Sequence, residues 1–577
     1  LKASNSKFWL IVALIAIVIT MIGLTTSYML GSNQSREERV QMVEQDAEPP
    51  SQQLEFEVDP AVLPSFKRVK ADADEVGRFA KYELTIELNA DYDNPYDPNQ
   101  LDLTAEFIAP SGSVWPIFGF YDGMSQSWKV RFAPDEVGEW RYQLRMRDRV
   151  GLVEGEIGRF TTVPSEERGW IQIAEENKRF LAYRDGTSFY GVGVAYPWGI
   201  TDFTLNTIAA SGGNLITYWN GNYDSAGSGG GDDQLESIDW GIGKYDPLKA
   251  KRIDELVKSF EQRGLHMNFV IWPHDSLADK LSGWATTWDQ NAYSTLGEAV
   301  DFYSSEEMWA YQEKLYRYII ARWGYSSAIG IWDLICEING TDGWAFGDSN
   351  QANVWVEKVH NYFKANDPYG HPTMGSMAGN RADYWEFAYQ TLDLADRENY
   401  YDFTYAAYAA DIQKRWASFE KPLMIGETGN ESDVLLYHNA IWVSLANGLA
   451  SSPIWWDITK VNSEMFTQMK FFSDFVSSID FIEERTPVRG AAARSSEGQA
   501  WAMMGEHLSY GWMIADSGNA GGTMIDFPGW RDGEYEITWY DTWQGNVAGK
   551  TKAAAAHGML TLESPLTTQA DLAFTIQ

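Results

Sequence analysis

Cysteine is nearly missing from this chain: Cys336 is the only one in 577 residues. A lone thiol cannot close an internal disulfide, nor supply a Cys-rich zinc site. Histidine is scarce as well, at seven, and none stand in the His-Glu-x-x-His spacing of the commonest metallopeptidases. No cofactor and no metal is therefore expected. Positive charge is in deficit. The 45 Lys and Arg face 81 Asp and Glu, a formal net charge of −36. Such a chain is repelled by nucleic acid and by anionic membrane surfaces, which argues against either as its main partner. A glycine-rich phosphate loop after an early strand is also absent, which weakens an open nucleotide-binding sheet. Aromatics, in contrast, reach 14% with 26 Trp. Trp and Tyr fill cores, and they also stack on flat apolar ligand faces.

Charge is missing locally too. The run Phe8–Leu30 carries none and exceeds the ~20 residues that cross a bilayer. Lys2 and Lys7 precede it, so the positive-inside tendency keeps the short N-terminus in the cytoplasm. Residues 1–30 are expected to form a single-pass transmembrane helix in the cell membrane, with the body facing the periplasm or exterior. A cleaved signal peptide, giving a secreted protein, is the alternative. Residues 31–65 are polar and proline-punctuated, as in a spacer.

Beyond the spacer the periodicity changes twice. Over 66–164, segments such as KYELTIEL, SWKVRF and EWRYQLRM alternate apolar and polar residues between turn signals, predicting an antiparallel β-sandwich. Within it, DYDNPYDPNQLD misses the calcium-loop spacing and reads as a solvated loop. Over 165–485, short apolar strands alternate with amphipathic helices. SFYGVGVA, NLITYW, HMNFVIW, IGIWDLI, PTMGS, YDFTYAAY, PLMIGE and SPIWWD are the candidate strands. Helices are expected around Ile253, Leu256, Val257 and Phe260, ending at Gly264, and from Ser304 with Glu307 completing a capping box. This β/α alternation predicts a TIM (β/α)8 barrel. Over 486–577 period two returns, predicting a second, smaller β-sandwich.

In a barrel of this kind the site lies at the C-terminal ends of the strands. The fourth candidate strand ends on Glu337 in WDLICEING, and the seventh on Glu427 in PLMIGETG. Two carboxyl groups in one bowl can hydrolyse a glycoside. Retention requires them at about 5–5.5 Å, and inversion at about 6.5–9.5 Å.

These strand ends resemble the acid/base and nucleophile signatures of clan A glycoside hydrolases. The run RYIIARWGYSSAIGIWDLICE through DPYGHP is similar to bacterial cellulase-like barrels that follow an immunoglobulin-like domain. FYDG, WKVRFAP and GEWRY match that preceding domain, and YEITWYDTWQG resembles the small sandwich that closes such proteins. The resemblance implies a retaining glycoside hydrolase cleaving β-linked oligo- or polysaccharides, with Glu337 as acid/base and Glu427 as nucleophile. It implies Trp456 as the aromatic platform of the sugar subsite. Asn291 resembles a loop residue that touches substrate. Two departures stand out. Cys336 replaces the Asn that precedes the acid/base, and the histidine of the sixth strand is missing, leaving Tyr405 or Tyr408 to orient the nucleophile. Trp219 and Asn220 after the second strand, and Trp272 and His274 after the third, are further candidate sugar contacts. Without turnover, the same features would describe a carbohydrate-binding protein on a decayed barrel.

Overall fold

The structure is a computed structural model that describes residues 63–577 except 222–233, 284, 380–383, 401–402, 430, 483–488, 495–496 and 506. The expected membrane segment and most of the spacer lie outside the described residues. Among those described, no helix is long and apolar enough to cross a membrane.

Residues 65–163 carry nine strands. All pair antiparallel except Glu75–Gly77, which runs parallel to Gly158–Val163. Period two accounts for their burial: in Gly138–Arg147 the inward positions Trp140, Tyr142, Leu144 and Met146 are buried while their neighbours face out. Their rings meet Tyr82, Phe107, Phe132 and Phe160 in a separate core. At the other end, eight strands between Arg489 and Ile576 form one sheet over a core containing Trp539, Phe527 and Phe574.

The middle of the chain departs from the closed eight-stranded TIM barrel. Five parallel strands form one curled half-barrel: β1 (Gly193–Ala195), β2 (Leu215–Trp219), β3 (His266–Val270), β4 (Ile329–Asp333) and β5 (Thr373–Met374). Two further strands, β6 (Ala395–Asp396) and β7 (Leu423–Met424), form a separate parallel pair. SPIWWD forms no ladder; Ser451 and Trp455 make only isolated bridges to Gly191, Val194 and Thr428. Proline supplies a physical reason. Pro372, Pro422 and Pro453 stand at the starts of these short or missing strands, and each lacks an N–H for the ladder. The sixth candidate strand is also corrected. Tyr405–Phe419 is a helix, opened by the Thr404 hydroxyl accepting from the Ala407 N–H at 3.2 Å.

The helices expected from periodicity form as Pro247–Glu261 and Glu306–Trp323. The second is capped by Ser305, one residue later than read from sequence. Both converge on a buried ion cluster. Asp254 accepts two hydrogen bonds from Arg131, at 2.8 and 3.0 Å, and two from Arg322, at 3.1 and 2.7 Å. Arg131 also donates to Glu83 at 2.8 Å, so the N-terminal sheet is bolted to the half-barrel by fully paired charges.

Burial pushes the Asp254 and Glu83 carboxyls up, but the guanidinium groups outweigh it. Glu83 is lowered to about 2, and Asp254 lies well below the ordinary range. Groups depressed in the folded state stabilise it above their unfolded pKa and lose that contribution as pH falls through the folded one. The melting temperature should therefore fall between about pH 4.5 and 2. Asp254→Asn should cost about 3–5 kcal/mol at neutral pH, measured by denaturant unfolding, and flatten that acid slope.

Candidate active site

Three carboxyl groups meet where β4, β6 and β7 end. Glu337 stands four residues past β4 and adopts a left-handed backbone with φ of 57°, rare for a side-chain-bearing residue and a frequent companion of functional sites. Its N–H donates to Ser376 Oγ at 2.8 Å, and its Oε2 lies 3.2 Å from His274 Nδ1. Glu427 stands three residues past β7. Its Oε2 accepts from the Tyr400 hydroxyl at 2.6 Å, and its Oε1 from the Cys336 thiol at 3.4 Å. Glu398, two residues past β6, is the third. Its Oε1 accepts from Ser376 Oγ at 2.5 Å and from Cys336 Sγ at 3.6 Å.

All three are buried. Among the described residues, no Lys or Arg forms an ion pair with any of them. Burial, and then the charges of Glu337 and Glu427, push Glu398 well above the usual carboxylate range. Burial and Glu337 push Glu427 up, against the pull of the Tyr400 and Cys336 hydrogen bonds. Burial and the same carboxylates raise the Cys336 thiol, so it is a neutral donor and not a thiolate. One ligand atom each of Cys336, Glu398 and Glu427 lies within 4.8 Å of the others. The fold thus assembles a potential cation-holding set that the sequence did not reveal. The thiol proton already bridges its two carboxylates.

An aromatic wall adjoins this cluster. Trp219, at the end of β2, and half-buried Trp456 lie 5.4 Å apart between ring centroids; Trp219 forms a small apolar cluster with Val270 and Cys336, and Trp456 packs on that cluster. Trp456 is tied to the residue after Glu427 through its N–H, which donates to the Thr428 carbonyl at 2.9 Å. His274 meets Trp219 edge-on at 5.6 Å. Trp219 Nε1 and Asn220 Oδ1 are buried with no hydrogen-bond partner among the described residues. A polar ligand would satisfy them.

Other sequence candidates fall elsewhere. Trp272 turns its ring toward Tyr293 and Phe302 and donates to Tyr316, touching the site only through its carbonyl, which accepts from the Cys336 N–H. Asn291 is fully buried and uses both ends of its amide to hold its own loop, on Ser276 and Tyr293. Tyr405 packs on Trp501 and Trp512 of the C-terminal sheet. The Tyr408 hydroxyl pairs with Thr428 at 2.6 Å, one residue from Glu427. Sequence reasoning missed Glu398, Tyr400, Ser376 and Trp198. The first two were within reach. With the sixth strand placed at LAD instead of YDFTYAAY, Glu398 and Tyr400 follow its end, as Glu337 follows β4.

Residues 75–147 match a family described as a domain of unknown function (DUF5060). No curated protein matches the chain. A crystal structure from Bacteroides vulgatus, provisionally named a glycoside hydrolase, is similar at 16% identity with a TM-score of 0.64, covering 88% of this chain and all of that one. A glycoside hydrolase of family 5 from the same organism is 15% identical over 71% of this chain and 94% of its own, with a TM-score of 0.46. The endo-1,4-β-mannanase of Rhizomucor miehei is 12% identical over 54% of this chain and all of its own, at 0.41. These structural neighbours are glycoside hydrolases, and the first of them shows that the chain has a glycosidase-type fold.

The raised, buried thiol makes a direct prediction. In the native protein at pH 8, Cys336 should alkylate with iodoacetamide at least about a hundredfold more slowly than in urea, followed by intact-mass spectrometry.

Proposed function

We propose that the chain is a retaining glycoside hydrolase of β-linked glycans. The observation that carries this reading is the convergence of Glu337 and Glu427, from different strand ends, beside the Trp219–Trp456 pair. Glu337 gives its proton to the glycosidic oxygen as that bond to the anomeric carbon breaks. Glu427 attacks the same carbon and forms a glycosyl ester. Glu337 then takes a proton from water, whose oxygen displaces Glu427. Tyr400 and Cys336 donate to separate oxygens of Glu427, which orients the carboxylate and stabilises its charge. His274 lies against Glu337, and Trp456 offers a ring face to the sugar. In this reading 165–485 is the catalytic body, flanked by accessory sheets at 66–164 and 486–577. Phe8–Leu30 tethers it to the cell membrane with the body outside the cytoplasm.

A panel of 4-nitrophenyl β-glycosides tests the reading. Glu427→Ala should lower kcat at least about 10³-fold yet keep sugar affinity, and azide should restore turnover with the opposite anomer as product. Glu337→Ala should spare activated aryl substrates far more than unactivated ones, since an aryl oxide departs without a proton. If wild type and Glu427→Ala bind a glycan equally and neither turns over any substrate, the chain is a carbohydrate-binding protein. Loss of activity with a chelator would instead point to a cation on Cys336, Glu398 and Glu427.

A further inference from the structure

A cavity lies beside the candidate site, with Trp198 between them. It has a volume of about 500 Å³, within the range of small-ligand pockets. It lies between the loop after β1, the helix Asp202–Ala210, the turn Ile458–Lys460 and the helix Ser463–Val476. Trp198 is the shared element. It lines the cavity, and its ring meets Trp219 at 5.6 Å and Trp456 at 5.8 Å. Pro197, Phe203, Ile458 and Phe466 supply the remaining apolar surface. Phe203 is 81% exposed at its edge, an unusual position for so large an apolar ring.

Most of the hydroxyls around the cavity are already engaged within the chain. The Tyr196 hydroxyl donates to the Gly199 carbonyl at 2.8 Å and accepts from the Thr201 N–H at 3.1 Å. Thr204 Oγ1 accepts from Thr201 at 3.1 Å, and Thr207 Oγ1 donates to the Phe203 carbonyl at 3.1 Å. Asp457 takes both the N–H and the hydroxyl of Thr459. A sugar ring here would find few partners for its hydroxyls, and leaving them unpaired on burial is costly. A hydrocarbon or aryl group would find ring faces and methyls.

We infer that this cavity holds an apolar aryl or alkyl group carried by the substrate, so that the chain acts on glycosides with a hydrophobic substituent. The inference rests on the glycosidase reading for the sugar, but the cavity can be tested without one. Phenol, 4-ethylphenol and 4-butylphenol are uncharged at pH 7 and escape the repulsion of an acidic protein. Titrated calorimetrically into the full chain, they should bind about three- to fourfold more tightly per added methylene. Phe203→Asp should abolish that gain, and Phe203→Leu should keep most of it. Because the ring is exposed, both variants should melt as wild type does. Glu427→Ala should keep the whole gain. The same aglycones on a panel of β-glycosides should raise kcat/KM in parallel. No gain with chain length, or a gain untouched by Phe203→Asp, overturns the inference. Hydrolysis indifferent to the aglycone overturns it while leaving the hydrolase. A Phe203-dependent gain with no hydrolysis of any glycoside sinks the hydrolase reading and leaves the cavity as a binding site.

Discussion

Burying three carboxyl groups in one space, with no Lys or Arg paired to them among the described residues, is the constraint around which the candidate site is organised. In a medium of low polarity, adjacent carboxylates repel strongly, and each pays for lost hydration. The result is that burial and neighbouring charge push the Glu398 and Glu427 carboxyls well above the usual carboxylate range. The surrounding donors offset part of that push. Ser376 links the Glu337 backbone to Glu398, and the Cys336 thiol lies between Glu398 and Glu427. A thiol is a weaker donor than an amide, so Cys336 does not replace Asn in kind. It lets a third carboxyl approach the other two.

Holding mutually repelling groups together requires a rigid frame. β4, β6 and β7 stop just short of the three glutamates, and the segments beyond them are cross-linked by backbone bonds. The Asn399 N–H donates to the Glu427 carbonyl, the Ile338 N–H to Ser376, and the Cys336 N–H to Trp272. Farther out, Asp254 secures the N-terminal sheet through Arg131. Asp571 does the same for the C-terminal sheet, accepting from His438, Trp512, Thr542 and Trp543. In both cases one carboxylate, half-buried at Asp254 and buried at Asp571, is surrounded by donors, the arrangement in which a shielded charge favours a single packing. The active cluster reverses this design: hydroxyl and thiol donors stand where Asp254 and Asp571 have arginine, histidine and indole, and among the described residues no Lys or Arg pairs with it.

Much was legible in the sequence because it depends on near neighbours. Period two exposed the strands at both ends of the chain, and the 3.6-residue spacing of Ile253, Val257 and Phe260 exposed a helix. Apolar runs ending on Glu337 and Glu427 marked two strand ends. Where local signals conflicted, the reading failed. Tyr405–Phe419 is rich in alanine and capped by Thr404, yet its aromatic start read as a strand. That slip displaced the sixth strand and hid Glu398. The prolines before β5, before β7 and within SPIWWD signalled interrupted ladders, but the β/α alternation outweighed them.

By itself, then, the sequence determined the alternation of elements, the acidic balance, the aromatic stock and the two glutamates at strand ends. The first and last of these live within one turn or one strand, and the other two are sums over the whole chain that need no fold. Only the tertiary structure decided that Glu398 joins Glu337 and Glu427, that Tyr400 orients a carboxylate, and that Trp219 faces Trp456 while Trp272 and Asn291 turn to packing. It also decided that the strands form a half-barrel and a separate pair. The reason is physical: these contacts join residues tens to hundreds of positions apart, and only the packing of the elements sets such distances.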